Sequence, residues 1–140
     1  MRAFGGLIGG LVAGILVMML AGFIGGLVFP MGAQMDPYDA QQIQSTFAGA
    51  SLGAKFMVVL SWALGALAGA VVAKKLTGAD WTAWTIAVIF ALYVLASVFV
   101  LPMPGWLQAI AVALPLVGGY IATRHVRGRT AATSDTHGAL

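Results

Sequence analysis

Four long apolar segments constrain the fold of this chain more than any other feature of its sequence. They cover residues 5–29, 50–73, 81–101 and 106–123, and the charged residues lie outside them, with the exception of Lys55. A helix needs about 20 mainly apolar residues to cross the hydrocarbon core of a bilayer, which is about 30 Å thick. The sequence therefore predicts an all-α integral membrane protein in which four transmembrane helices form a bundle.

The composition supports a membrane protein and excludes two other classes. Hydrophobic residues make up 61% of the 140 residues and charged residues only 8%, whereas an ordinary globular chain has about 25% charged residues. Such a chain has too few polar side chains to cover a water-facing surface, and it is too apolar to be disordered. The first segment is longer than the apolar region of a secretory signal peptide, about 7–15 residues, so we expect it to be retained as a helix.

The basic residues predict the orientation of the four segments. All lysines and arginines except Lys55 fall on the side of the membrane that holds both termini; they are Arg2, Lys74, Lys75, Arg124, Arg127 and Arg129. Because cytoplasmic loops carry the excess of Lys and Arg, both termini are predicted to be cytoplasmic, and we expect a bacterial inner membrane. Residues 1–129 would form the membrane domain and 130–140 a disordered cytoplasmic tail. Basic residues at helix ends attract anionic lipid, so the positive charge does not predict nucleic-acid binding.

A shift of fifty residues aligns the second segment with the fourth. It places Gly69 on Gly119 and Lys74 on Arg124. The chain can then be interpreted as two helical hairpins that form a parallel repeat about an axis along the membrane normal. The other interpretation is chance, because both segments draw on the same few small apolar residues.

Small residues recur every four positions along each segment and predict close helix packing. The candidate packing residues are Gly6, Gly10, Gly14, Gly22 and Gly26 in the first segment, Gly65 and Gly69 in the second, and Gly119 in the fourth. In lipid, helices associate through such faces because burial from water no longer drives them together. Four residues turn about 400°, so a row of residues spaced by four moves around the helix by about 40° at each step. The faces serve packing within the chain, homo-oligomerisation through the first helix, or both.

The sequence offers no reactive group inside the membrane. It contains no glutamate in any segment, its aspartates lie outside the segments, and His125 and His137 both follow the fourth segment. We therefore expect no enzyme activity, no metal and no cofactor.

Trp62 and Tyr93 are candidates for lining a cavity, with ordinary packing as the alternative. Pro115 removes a backbone hydrogen bond and is a candidate hinge, or else a fixed kink.

The outer loop, residues 30–49, is predicted to contain a short helix that lies on the membrane surface. Asp36 would be its N-cap, Pro37 its first residue and Phe47 its end. The candidate contacts of this loop with a partner are Asp36, Tyr38, Asp39, Ile43 and Phe47.

These features favour a small non-enzymatic membrane protein that acts as an accessory or scaffold subunit. Its partners would be the lipid bilayer and either further copies of itself or a larger membrane complex. The alternative is a small oligomeric transporter or pore for a passive or lipid-like substrate. A third hypothesis is a regulator that acts through the outer helix.

Overall fold

The computed structural model describes residues 1–29 and 38–126, which form five helices and no strand. The helices are α1 (Arg2–Val28), α2 (Ala40–Gly49), α3 (Leu52–Thr77), α4 (Asp80–Val100) and α5 (Gly105–His125). All except α2 are long and apolar enough to cross a membrane. The predicted all-α class and the four candidate membrane-spanning helices are thereby confirmed. The predicted tail (130–140), Arg127, Arg129 and His137 lie outside the described residues.

The helices begin and end at different residues from the apolar segments that predicted them. Helix α3 begins at Leu52, because the Ser51 side chain accepts a hydrogen bond of 3.2 Å from the backbone N–H of Ala54. At its other end α3 continues past the apolar segment to Thr77, since lysines in a last turn interact favourably with the helix dipole. Gly78 then ends the helix in the left-handed conformation, with φ of 74°.

Helices α3 and α4 lie between α1 and α5. Helix α1 is antiparallel to α3, because Gly6 lies against Thr77 and Gly25 against Met57. Helix α3 also packs on α4 and α5, and α4 packs on α5, whereas α1 and α5 have no comparable contact. A twofold repeat of two hairpins would pair α1 with α5 as closely as α3 pairs with α4. The helix contacts do not show that equivalence.

The two ends of the helices differ in how their cores are filled. At one end the core is built mainly from alanines, and it consists of Ala66, Ala70, Ala73, Ala83, Ile86, Phe90 and Ala122. At the other end larger side chains fill it: Phe47, Val59, Trp62, Val94, Val98, Met103, Leu107 and Ala111. We call these the Lys74 end and the Phe47 end. Small side chains bring helix axes close together, and larger ones hold them further apart.

Helix α1 is attached along one narrow face. Only 11% of its most apolar stretch is buried, compared with 44% of the corresponding stretch of α3. Its buried residues are Gly6, Gly10, Gly14 and Gly25. The rest of its surface is apolar and exposed, as expected for a helix that faces lipid.

Helix α2 begins later than the sequence predicts. Asp39 has an extended backbone, and its carboxylate accepts hydrogen bonds from the backbone N–H groups of Gln41 (3.0 Å) and Gln42 (3.2 Å). Asp39 is therefore the N-cap, and the prediction that it lies within the first turn is wrong. The carboxylate oxygen satisfies two N–H groups that have no partner within the helix. Asp36, the predicted N-cap, and Pro37 lie outside the described residues.

Candidate helix-packing site and polar cluster

Two pairs of glycines bring the backbones of α1 and α3 into direct contact. A Cβ atom built on Gly14 would lie 2.7 Å from the carbonyl oxygen of Gly65, and one built on Gly65 would lie 2.8 Å from that of Gly14. Gly10 and Gly69 repeat this relationship with the same two distances. Such close approach permits contacts between Cα–H groups and carbonyl oxygens across the interface. Any larger side chain at these four positions would force the helices apart.

Gly22 and Gly26 were predicted to continue this packing row, but they make no close contact with α3, and their role in packing stays a prediction. A Cβ atom at either position would meet nothing within 4 Å, whereas Gly25 lies against Met57 at 3.3 Å. At about 100° per residue, Gly25 falls close to the direction of Gly14, while Gly22 and Gly26 have rotated about 80° and 120° beyond it. The drift of a four-residue row therefore carries its end away from α3.

Helix α5 packs through two adjacent glycines that face different neighbours. A Cβ atom on Gly119 would lie 2.6 Å from the Cβ of Ala87 in α4. One on Gly118 would lie 3.3 Å from the backbone of Leu67 in α3. Gly119 was predicted to pack and Gly118 was not, because Gly118 lies off the four-residue row.

Trp62 and Tyr93 touch, and of the two only Tyr93 lines the apolar groove between α1 and α4. Their ring centroids are 6.4 Å apart and the ring planes are 87° to each other, an edge-to-face contact. Trp62 is 6% exposed and belongs to the core at the Phe47 end, whereas Tyr93 is 51% exposed. Tyr93 lines an apolar groove of about 240 Å³ between α1 and α4; the other lining residues are Leu11, Ile15, Met18, Ile89 and Phe90. Trp62 packs away from this groove.

Pro115 lies buried in the middle of α5, which is continuous from Gly105 to His125 around it. Its environment is therefore that of a packed residue in a helix. The hinge role proposed for Pro115 from the sequence stays a prediction.

The candidate partner contacts of the outer loop divide between buried and exposed positions. Phe47 is 5% exposed and anchors α2 in the core of the Phe47 end, with the Lys55 ammonium 5.8 Å from its ring centroid. Ile43 is half-buried, and Tyr38 is 94% exposed. Phe47 therefore holds α2 in place, whereas Tyr38 and Ile43 keep part of their surface exposed.

A polar cluster that the sequence analysis missed connects three helices at the Lys74 end. The Lys74 ammonium pairs with Asp80 Oδ1 at 2.8 Å and donates a hydrogen bond to the carbonyl oxygen of Thr123. Thr123 belongs to the last turn of α5, whose carbonyls have no partner within the helix. Beside this pair the hydroxyls of Thr77 and Thr82 are 2.7 Å apart. The cluster thus joins α3, the first turn of α4 and the last turn of α5.

Comparisons with known protein families, with curated proteins and with solved structures found no match.

The chemistry available to the cluster follows from its side chains. The Lys74 ammonium is held by a carboxylate and a carbonyl, and the side chain is only 7% exposed. Within residues 1–29 and 38–126, no three histidine or acidic side chains lie together as metal ligands would. The described arrangement is suited to fixing helices against one another. The sequence contained one signal of it, an aspartate shortly after a lysine pair with a glycine between them.

Proposed function

We propose that this chain is a small non-enzymatic integral membrane protein that acts as an accessory or scaffold subunit. In this proposal α1, α3, α4 and α5 form a four-helix bundle in a bacterial inner membrane, with both termini in the cytoplasm. Arg2, Lys74, Lys75 and Arg124 at one end, against Lys55 at the other, support that orientation.

The observation that carries the proposal is the incomplete packing of α1. Its inner glycines contact α3, whereas Gly22 and Gly26 leave a smooth surface that no residue of the described chain fills. Small residues in a membrane helix allow a second helix to approach its backbone closely. We propose that a helix of a second copy of the chain, or of a larger membrane complex, packs on this surface.

Cysteine cross-linking tests the proposal directly, because the chain has no cysteine of its own. Gly22→Cys and Gly26→Cys variants in native membranes should form disulfide-linked dimers if a second copy packs there, or a specific adduct to one stoichiometric subunit of a complex. Gly5→Cys is the matched control, since Gly5 is also open but lies about 25 Å from Gly22, near the other end of α1. A protein that stays monomeric, with no cross-link above that of the Gly5→Cys control and no stoichiometric partner in mild detergent, would contradict the proposal.

The alternative function is a small oligomeric transporter or pore for a passive or lipid-like substrate. The apolar groove of about 240 Å³ between α1 and α4 is the feature in its favour, since its lining suits an acyl chain. Reconstitution in liposomes separates the two functions. Saturable flux or lipid scrambling by the purified protein, abolished by Gly14→Leu, would support the transporter and overturn the accessory role.

A further inference from the structure

The charges at the Lys74 end do not balance within the described chain. Asp80 is the one acidic residue that the described ranges place at this end, and its carboxylate pairs with Lys74. Arg2, Lys75 and Arg124 are exposed there, and no described carboxylate forms an ion pair with them. The Lys74 end of the described chain therefore has a net positive charge. Such a charge attracts an anion from outside the described residues.

Arg124 is the one of these cations that the structure holds in a defined position. Its guanidinium lies 5.3 Å from the ring centroid of Tyr120, one turn earlier in α5. A cation stacked on an aromatic face is stabilised there while the edge of the guanidinium, with its N–H donors, stays free. A planar guanidinium is the group best suited to bind two oxygens of a phosphate at once.

Two exposed tryptophans of α4 lie at about the same level of the bundle as this arginine. A Cβ atom on Gly119, the residue before Tyr120, would be 3.6 Å from Trp84 Cε3, so the indole lies across α5 at that level. Helices α4 and α5 are antiparallel, and this register puts Arg124 level with the first turn of α4, where Trp81 lies. Trp81 and Trp84 are 54% and 40% exposed. Indole rings favour the headgroup level of a bilayer.

The neighbouring polar cluster offsets negative charge that would repel an anion from Arg124. The last turn of α5 exposes carbonyl oxygens, which give that helix end a partial negative charge. Lys74 donates to the carbonyl of Thr123, directly before Arg124, and it also pairs with the Asp80 carboxylate. The ammonium thus offsets part of the negative charge near Arg124, and no carboxylate of the described residues pairs with the guanidinium.

We propose that Tyr120, Arg124, Trp81 and Trp84, here called the Arg124 cluster, bind the headgroup of an anionic phospholipid. Arg124 binds the lipid phosphate, and the indole rings pack against the glycerol region where the acyl chains begin. A phospholipid fits both the guanidinium and the indole rings of the cluster. Its phosphate suits Arg124, and its apolar chains can continue from the indole rings along the exposed apolar surfaces of the helices. The inference is independent of the accessory role and requires only that the helices lie in a bilayer.

Quenching of tryptophan fluorescence by brominated lipids tests the site. A Trp106→Phe variant is the background, since Trp106 is exposed near the Phe47 end and Trp62 is buried there. The protein is placed in phosphatidylcholine vesicles that contain either brominated phosphatidylglycerol or brominated phosphatidylcholine at equal mole fraction. We expect about a fivefold preference for the anionic lipid, the factor that corresponds to one basic residue near the membrane surface. Arg124→Gln should bring that preference close to one.

Two further variants separate a defined site from diffuse surface charge. Lys75→Gln removes the same charge from the same end of the molecule and should keep most of the preference, whereas Arg124→Lys keeps the charge but loses the stacked, planar geometry and should reduce it. Equal quenching by both lipids in the background protein, or equal losses in Lys75→Gln and Arg124→Gln, would overturn the proposal. Native mass spectrometry provides a second readout: phosphatidylglycerol should stay bound to the wild-type protein and be lost from Arg124→Gln.

Discussion

Lys74 and Asp80 form an ion pair across the α3–α4 turn, with Nζ and Oδ1 2.8 Å apart, although the lysine side chain is 7% exposed and the aspartate 66%. Gly78, in its left-handed conformation, reverses the chain between them. The same ammonium donates to the carbonyl oxygen of Thr123 in α5. One buried cation therefore connects three helices, and its two acceptors come from helix ends that would otherwise be free to separate.

Replacing Lys74 with methionine should lower the free energy of unfolding by about 1–3 kcal/mol, because the Thr123 carbonyl then stays buried without its donor. Lys75→Met is the matched control, since Lys75 is exposed and its loss should change stability by no more than about 0.5 kcal/mol. Denaturant unfolding in mixed detergent micelles measures both. Equal effects of the two substitutions would show that the polar cluster does not stabilise the fold.

Gly14→Ala should destabilise the protein by about 1–3 kcal/mol, the usual effect of overfilling a packed core. The added methyl group would lie 2.7 Å from the carbonyl oxygen of Gly65 and 2.8 Å from Phe90 Cζ, so α1 must move away from α3. Gly22→Ala meets open space and should leave stability unchanged or raise it by up to about 1 kcal/mol through helix propensity. The same unfolding assay, done on the monomeric protein in detergent, compares them, and a destabilised Gly22→Ala monomer would contradict the described orientation of α1.

Asp39→Ala should loosen α2 without affecting the other helices. The carboxylate caps two backbone N–H groups, and loss of an N-cap costs about 1 kcal/mol, or about a fivefold faster amide exchange. Hydrogen exchange read by mass spectrometry should show the change in residues 40–49 and none in α3. Ser45→Ala is the control, because the Ser45 hydroxyl only donates to the Gln42 carbonyl within the same helix. Similar exchange in both variants would argue against the Asp39 cap.

The edge-to-face contact of Trp62 with Tyr93 should be measurable as a coupling between the two residues. A double-mutant cycle with Trp62→Leu and Tyr93→Leu is expected to give a coupling free energy of about 0.5–1.5 kcal/mol. Tyr120 provides the control, since its ring lies on α5 at the Lys74 end and should show no coupling to Trp62. Additive effects in the Trp62–Tyr93 cycle would show that the contact contributes nothing beyond burial.

The four long helices were predictable because each needs only an uninterrupted apolar run, a property that is visible in the sequence without knowledge of neighbours. Their ends were harder to predict. Helix α3 runs through Lys74 and Lys75 to Thr77, since backbone hydrogen bonding continues where the apolar run has stopped. Asp39 shows the same limit in α2, because several residues of one turn can cap a helix and the backbone conformation selects among them.

The packing face and the polar cluster depended on information that the sequence does not contain. Periodicity identified the glycine row of α1, but the direction in which α3 lies decides that Gly25 packs and Gly26 does not. Lys74 was interpreted as a basic residue at a helix end that marks the cytoplasmic face, because position along a helix says nothing about which neighbour covers the side chain. In the structure Lys74 is buried, with Asp80 of α4 and the Thr123 carbonyl of α5 against its ammonium.

The narrow attachment of α1 separates the features that suit this helix to a membrane from those that dock it onto α3. Its length and apolar exposed surface, which suffice to cross a membrane, come from residues other than Gly10 and Gly14. We therefore expect substitutions at these two glycines to leave membrane insertion of α1 intact and to weaken only its association with α3.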